Sequence, residues 1–531
     1  MSGHCLSELM SDQDFGSAGS YRFNRLVLDS RQLKPGDAFV LLKSASGNLS
    51  RSLEFAKSAQ SKAPLILSEL PLEDLEPVAG CKVLYRSDLR DWLGSLQAKL
   101  LQANQPTALP PIIAVTGTNG KTSITTLIAQ LMGELGIKTG LLGTAGNGLW
   151  PDLVQSTHTT SDVLSLHKQI HALSLSGAQL ICLEASSHGL DQQRLQGLPI
   201  TTAVFTNLTH DHLDYHGTLE HYAAAKARLF GWPGLNTAII NTDDAASQIM
   251  IAKIDPSTQL IRYGFNSEAE LHPISHELKA DGAVAKISVS HQNQIFTLKT
   301  PLYGRFNLSN LLAVIGAALS VTEVLKHAAD SEPHARTDDK SVGILQKLEP
   351  LIPKLTGAKG RMQRVTLGEA GSGDEPVCLV DYAHTPDALD QSLGALKAHM
   401  QDEAGRLFCV FGCGGDRDAT KRAPMTQAAL KHADWVILTS DNPRGEDPKQ
   451  ILEDMLIGAS SEQKQRITVE LDRRLAINLA VSNASASDVV LVAGKGHETY
   501  QEIDGVRHDF DDSQVLSAAL QSLAFGDAER S

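Results

Sequence analysis

The sequence predicts an α/β protein of three domains, a small mixed α/β unit followed by two larger domains built on parallel sheets. Three observations carry this. The chain has 531 residues, too many for one hydrophobic core. Short, continuously apolar runs alternate with helix-compatible stretches, and do so twice, as in parallel sheets covered on both faces. Two loop-like stretches interrupt the alternation. In Gln105–Pro111 three prolines (Pro106, Pro110, Pro111) fall within six positions, which precludes helix and favours an extended linker. The other is the polar run 330–340 with the Leu/Pro-rich piece that ends near Gly357. The expected domains are therefore 1–108, 109–355 and 356–531.

Composition narrows the class. Hydrophobic residues at 42% and charged residues at 20% are ordinary for a globular enzyme. A formal net charge of −14 excludes a general nucleic-acid binder, which needs a basic face against phosphates. It leaves small anionic substrates open, since a few local Lys and Arg residues suffice for them. The first twenty residues lack a basic stretch followed by an apolar one, and no apolar run reaches membrane-spanning length. The six cysteines form no C-x-x-C pair, and four sit in strand-like runs, so buried reduced thiols are expected. A cytoplasmic monomer without membrane insertion is the expectation.

The N-terminal unit is the least legible. The middle domain opens with the apolar run 112–116, a strand, and a helix-compatible segment from Lys121. Further strands are expected at 138–142, 179–184, 202–206 and 237–240. Between the first strand and helix lies Thr116-Gly117-Thr118-Asn119-Gly120-Lys121-Thr122. Glycines let backbone N–H groups close around phosphate oxygens, and the helix N-terminus adds positive potential. Lys121 can neutralise phosphate charge, and the Thr122 hydroxyl can ligate Mg²⁺. The first glycine of the usual G-x-x-x-x-G-K-[ST] pattern would fall on Val115, so the loop is a shortened variant. A glycine turn without ligand is the bland alternative, and the G-K-T in this context weighs against it. This makes the central domain P-loop ATPase-like.

The last domain repeats the alternation with strands at 377–381, 407–412, 434–439 and 488–494, a Rossmann-like pattern. Ligands of such sheets bind beyond the strands' carboxyl ends. Polar, Gly-rich sequence gathers there: DYAHTPD, GCGGDRD, TSDNPR and AGKGHE.

The loop T-G-T-N-G-K-T resembles that of the Mur ligases, ATP-dependent ligases of cell-wall precursor synthesis, and of the related folylpolyglutamate synthases. With the segments below, the resemblance extends over the middle and C-terminal domains. It implies ATP as co-substrate and Mg²⁺ as cofactor. Glu184 ends an apolar strand, where a carboxylate can reach a metal at the loop. The run Thr206–His216 is dense in His and Asp; zinc is conceivable, but no thiols join it, and ATP chemistry calls for Mg²⁺ with oxygen ligands. The resemblance assigns Glu184 and His212 to Mg²⁺. Lys226 reads on its own as a surface helical lysine, whereas the matching family lysine is carbamylated to N6-carboxylysine and ligates Mg²⁺. That chemistry requires a neutral amine and so a depressed pKa. Asn307 and Asn310 begin an apolar helix, where N-capping is the alternative to the adenine contact that the family implies. Arg361, Asp381 and His384 resemble contacts to ATP phosphate and ribose.

In the N-terminal unit, Leu28-Asp29-Ser30-Arg31 and the segment 35–40 resemble the family's uridine-binding domain, with Leu28 and Ser30 as contacts. The segment after FVLLK departs from the family's pattern. Thr159, Thr160, Ser186, Gln192 and Arg194 match contacts to the UDP-muramoyl-peptide. In Asp441-Asn442-Pro443-Arg444 a turn is the bland reading. The motif also matches members that select meso-diaminopimelate, and lysine-adding relatives lack the arginine. A planar Arg444 suits the distal carboxylate that distinguishes diaminopimelate from lysine. Arg417 can hold another carboxylate; Asp441 and Glu498 can hold the ammonium, with Gly494 beside them. The reaction implied joins meso-diaminopimelate to the D-glutamate of UDP-N-acetylmuramoyl-L-alanyl-D-glutamate. A folylpolyglutamate synthase fits the loop but not DNPR. A scaffold without turnover would be expected to lose Lys121, Glu184, His212 or Lys226, and the chain keeps all four.

Overall fold

The computed structural model describes residues 3–43, 49–72, 75–156, 158–290, 294–330, 344–367, 375–400 and 405–528. Most of the polar run 330–340 and residues 44–48 of the divergent N-terminal segment lie outside these. The chain forms two compact units: Met1–Arg262 with a stretch from Gly316, and Tyr263–Ile315 with the C-terminal part of the chain.

Beside a short antiparallel pair, His4–Cys5 with Arg22–Phe23, two sheets build the first unit. Near the N-terminus, Leu26–Val27, Ala38–Leu41, Leu65–Ser68 and Lys82–Tyr85 pair in that order, all parallel. The helices Leu49–Gln60 and Leu89–Asn104 accompany them. Separate apolar clusters, one around Leu26, Val40 and Trp92 and one around Phe39, Ala56 and Ile66, cover the two faces of this sheet. The larger sheet has Ile112–Thr116 between Leu180–Glu184 and Ile200–Phe205, both parallel to it. Thr139–Gly143 lies beyond the former, Thr237–Asn241 beyond the latter. Every residue of Ile112–Thr116, Leu180–Glu184 and Thr237–Asn241 is buried, so period-2 alternation is absent and the strands read as solid apolar runs. The five expected strands are present within a residue or two. An antiparallel hairpin, Gly146–Leu149 with Asp152–Val154, extends the edge; its glycines and asparagine gave no strand signal.

The second unit opens with an antiparallel meander, Leu271–Lys279, Gly282–Val289 and Gln294–Thr300. A long helix, Arg305–Asp330, starts within this unit. A six-stranded sheet follows in the order Gln363–Val365, Val377–Asp381, Val489–Ala493, Leu407–Phe411, Trp435–Leu438, Ile467–Val469. All pairs are parallel except the first. The last long strand to be made, Val489–Ala493, thus sits between the first two. Apolar clusters on opposite faces, one around Leu393 and Met425 and one around Ile477 and Leu516, sandwich the sheet. Inside, Arg473 and Asp512 form a fully buried ion pair at 2.7 Å. All six cysteines are unpaired. Cys182, Cys378 and Cys409 lie in buried strands, and burial pushes the Cys378 thiol up to about 12. Among the described residues no helix is long and apolar enough to cross a membrane.

Candidate active site

The buried strand Ile112–Thr116 delivers the phosphate loop to the sheet's carboxyl end, and the helix Lys121–Glu134 leaves it. Two glycines make the turn feasible. Gly120 caps the helix at φ +87°, and a Cβ on Gly117 (φ +152°) would stand 1.8 Å from the Thr206 hydroxyl oxygen. The neighbouring strand end clamps the loop. The Thr118 N–H donates to the Asn207 carbonyl at 2.8 Å, and the Asn119 N–H to the Asn207 side chain at 2.9 Å. The Thr206 hydroxyl donates to the Asn119 carbonyl at 2.6 Å. Lys121 folds back over the loop, its ammonium donating to the carbonyls of Gly117 (2.9 Å) and Thr118 (2.8 Å).

Glu184, fully buried at its strand end, accepts from the Thr122 hydroxyl at 3.0 Å and from the Thr144 N–H at 2.7 Å. A hydroxyl of the phosphate helix and the strand-end carboxylate are thus held together, an oxygen-donor pair suited to Mg²⁺. Lys226 approaches the same loop on the helix Leu219–Ala227. It is 1% exposed, its amine donates to the Gly117 carbonyl at 2.8 Å, and it lies 4.3 Å from the centre of the Tyr222 ring. Burial, aided by the Lys121 charge and opposed by Asp211, holds the amine well below the ordinary lysine range. The reading of Lys226 as a surface lysine is therefore wrong. A neutral amine is the form that attacks CO₂, and a carbamate would add an oxygen donor beside the loop, so the residues fit the metal. His212 opens a one-turn helix at φ +53°, with Asp211 3.5 Å away and the His188 ring 4.9 Å away. Among the described residues no three His, Cys, Asp or Glu side chains converge as a metal site by themselves.

The residues expected at the muramoyl-peptide are joined to this core. Thr160 donates through its hydroxyl to the Glu184 carbonyl at 2.7 Å and accepts from the Ser186 N–H at 3.1 Å. Arg194 donates to the Thr160 carbonyl at 2.6 Å and to the Gln192 side chain at 2.7 Å. Thr144 links Thr159 to Glu184, at 3.1 and 3.3 Å. Burial lowers the Arg194 pKa. Leu28 and Ser30 follow the first strand of the N-terminal sheet; beside them the Arg31 guanidinium holds the Asp29 carboxyl down to about 2.

In the second unit, Asn307 and Asn310 are the third and sixth residues of the helix from Arg305, inside it and not at its cap. Asn307 donates to the Tyr303 carbonyl at 2.8 Å and accepts from Asn310 at 3.0 Å, so N-capping is not their role. His399 fixes the start of this helix: its Nε2 accepts from the Gly304 N–H at 2.7 Å, leaving Nδ1 as the donor to the Lys279 carbonyl at 2.8 Å. Asp381 is buried and accepts the N–H groups of Met362 (2.7 Å) and Ala383 (3.0 Å), while burial pushes its carboxyl up. Arg361 stacks 4.6 Å over Tyr382, whose ring also meets His384 (4.6 Å) and His497 (5.1 Å). Burial lowers the His384 pKa. Gly360 packs on the backbone of Gly496 so closely that a Cβ would lie 2.2 Å away, which brings the Arg361 loop against the GKGHE loop.

DNPR and GKGHE meet across the sheet's carboxyl end, as their positions implied. Asn442 donates to Glu498 at 2.9 Å. Arg444, at φ +52°, donates to the Gly415 carbonyl at 2.8 Å and stands 4.0 Å from Glu502. Gly494 (φ +111°) lies so near Asp441 that a Cβ would come within 2.8 Å of its Oδ2. Pro443 shapes the turn, and Arg417 is exposed on the facing loop. At the centre is a residue the sequence reading passed over. Lys495, 0% exposed, donates to Asn442 Oδ1 and to Glu498, each at 3.1 Å, with Asp441 at 3.7 Å. A lysine between two glycines at the end of an apolar strand was the available signal. Tyr222, Thr144 and Asn207 were missed too; none stands in a pattern that marks it.

Two family models match the chain, the Mur ligase middle domain over residues 115–318 and the Mur ligase glutamate ligase domain over 360–496. The chain belongs to the Mur ligase family. This Mur ligase is 42% identical, over 97% of its own length and 97% of the relative's, to the UDP-N-acetylmuramoyl-L-alanyl-D-glutamate–2,6-diaminopimelate ligase of Xanthomonas campestris pv. campestris. It is 41% identical to the protein of the same name from Chromobacterium violaceum, over 93% of this chain and 94% of that one. A solved structure of a UDP-N-acetylmuramoyl-L-alanyl-D-glutamate–2,6-diaminopimelate ligase aligns with 98% of this Mur ligase and 100% of its own chain, at 40% identity and a TM-score of 0.73. The phosphate loop, Glu184, Lys226 and both helix asparagines of this Mur ligase fall in the first matched segment. Arg361 through Gly494 fall in the second.

Proposed function

We propose that the chain ligates meso-diaminopimelate to the D-glutamate γ-carboxylate of UDP-N-acetylmuramoyl-L-alanyl-D-glutamate, with hydrolysis of ATP to ADP and phosphate. The observation that carries this reading is the meeting of the DNPR and GKGHE loops at one sheet end, where Asn442 donates to Glu498, Asp441 borders Gly494 and the same turn carries Arg444. That pattern suits the zwitterionic distal end of diaminopimelate, and relatives of that name match nearly the whole chain. The phosphate loop and Lys121 bind the triphosphate, with Arg361 as a further phosphate contact. Asn307, Asn310, Asp381 and His384 belong to the nucleotide site, and Thr159, Thr160, Ser186, Gln192 and Arg194 to the muramoyl-peptide, with Leu28 and Ser30 on its uridine. Thr122, Glu184, His212 and carbamylated Lys226 would hold Mg²⁺, which neutralises charge on the transferring phosphoryl group when bound.

The γ-carboxylate oxygen attacks the γ-phosphorus of ATP and ADP leaves, giving an acyl phosphate. The uncharged diaminopimelate amine then adds to the acyl carbon, and the tetrahedral adduct expels phosphate. Lys121 offsets the charge that shifts onto the leaving ADP, and Arg444 orients the nucleophile from its far end. The division into domains 1–108, 109–355 and 356–531 follows these roles as uridine, nucleotide and amino-acid domains. The proposed setting is a cytoplasmic monomer.

The test is ADP release with the UDP-muramoyl-dipeptide across a panel of amino acids. Turnover with meso-diaminopimelate and little with lysine is the expected result. Equal use of lysine, or turnover only with a folate and glutamate, would sink the reading.

A further inference from the structure

The pocket between DNPR and GKGHE carries its own buried cation. Lys495 leaves the last sheet strand at its carboxyl end with no exposed surface, and its ammonium faces three side chains that the ligand site would use. Asn442 Oδ1 and Glu498 Oε2 accept from it at 3.1 Å each, and Asp441 Oδ1 stands at 3.7 Å. The Tyr500 ring, 5.5 Å from the nitrogen, closes another side.

This arrangement fixes orientation. Asn442 Oδ1 takes two donors, Lys495 and the Glu502 N–H at 2.9 Å, so its amide group must turn Nδ2 towards Glu498. Glu498 Oε2 receives both Asn442 and Lys495, which leaves Oε1 as the oxygen to offer a ligand. Asp441 likewise turns Oδ1 to Lys495 and Oδ2 to the space that Gly494 keeps clear. The lysine also sets the charge. Two carboxylates with one internal ammonium leave one net negative charge, which a single substrate ammonium neutralises. Without Lys495 the two carboxylates would repel the ligand's carboxylate.

We propose that Lys495 is a positioning residue for diaminopimelate, a built-in counter-ion that aims Asn442, Glu498 and Asp441 and matches the pocket to one ammonium. The proposal rests on the ligase reading above. The experiment compares the full-length wild type with Lys495→Met and Lys495→Ala, measuring kcat and KM for meso-diaminopimelate, ATP and the UDP-muramoyl-dipeptide. Lys495→Met should raise the diaminopimelate KM by ~10-fold or more, with the other two KM values within about twofold. In Lys495→Ala, ethylammonium should fill the vacated space and lower the diaminopimelate KM again, while ethanol should not. An unchanged diaminopimelate KM, a parallel rise in all three KM values, or indifference to ethylammonium overturns the proposal. So does failure of both variants to fold with ethylammonium present, which would make Lys495 a scaffold residue. Failure of the wild type to use diaminopimelate would instead remove the ligase reading itself.

Discussion

The Lys226 amine donates to the Gly117 carbonyl at 2.8 Å, across 109 residues of sequence, from a site that is almost fully buried. A helix lysine in an Ala-rich segment thereby becomes part of the phosphate loop's wall. Lys226→Ala should abolish ligation, and short carboxylic acids should restore part of it by entering the emptied space as carbamate substitutes. Retention of most of the activity would show that Lys226 is no part of the metal site.

The same burial predicts a pH dependence of folding. The folded amine sits well below its ordinary value, so the unfolded chain binds a proton that the folded chain does not. Stability should rise with pH between the folded value and the ordinary lysine value, by up to about 1.4 kcal/mol per pH unit. Urea unfolding in CO₂-free, metal-free buffer at neutral and alkaline pH measures this. Lys226→Met should be the more stable protein at neutral pH and should lose that part of the slope. Identical slopes in both proteins would refute the assignment.

The Lys121 ammonium donates to the Gly117 and Thr118 carbonyls of its own loop, and Lys121→Ala should leave the fold intact and remove most turnover. Mg-ATP should raise the melting temperature of the wild type more than that of the variant. Equal shifts would place the nucleotide elsewhere.

Arg444 is held by Gly415 and bent into a left-handed backbone conformation, so its guanidinium direction is set before any ligand arrives. A charge-assisted bond contributes about 1.5–3 kcal/mol, and losing a bidentate pair should cost roughly 10²-fold or more. Arg444→Ala should raise the diaminopimelate KM accordingly and barely change that of ATP. Lysine, poor to begin with, should lose little further. A loss shared equally by both amino acids would argue against recognition of the distal carboxylate.

How much of this the sequence disclosed depended on whether the signal was local. Strands such as Leu180–Glu184 and Leu407–Phe411 are buried on both faces, and their solid apolar composition located them within a residue or two. The phosphate loop was equally plain, because its glycines and lysine are contiguous. The exposed meander strand Leu271–Lys279 mixes polar and apolar residues and gave no such signal. Lys226 and Lys495 illustrate the other limit. A lysine's burial depends on which distant segments fold over it, and composition around Lys226 pointed to the surface. Asn307 and Asn310 fit a helix start by type, yet the helix begins two residues before the first of them.

The strand Val489–Ala493, wedged between Val377–Asp381 and Leu407–Phe411, has a consequence for how the molecule is made. On the ribosome those two earlier strands emerge with no partner for the edges that will face each other, and they remain so for the synthesis of some eighty further residues. Glu498 and Lys495 emerge with the strand that closes the gap. The amino-acid pocket and the sheet beneath it are therefore completed in one late step, and a chain released early has neither.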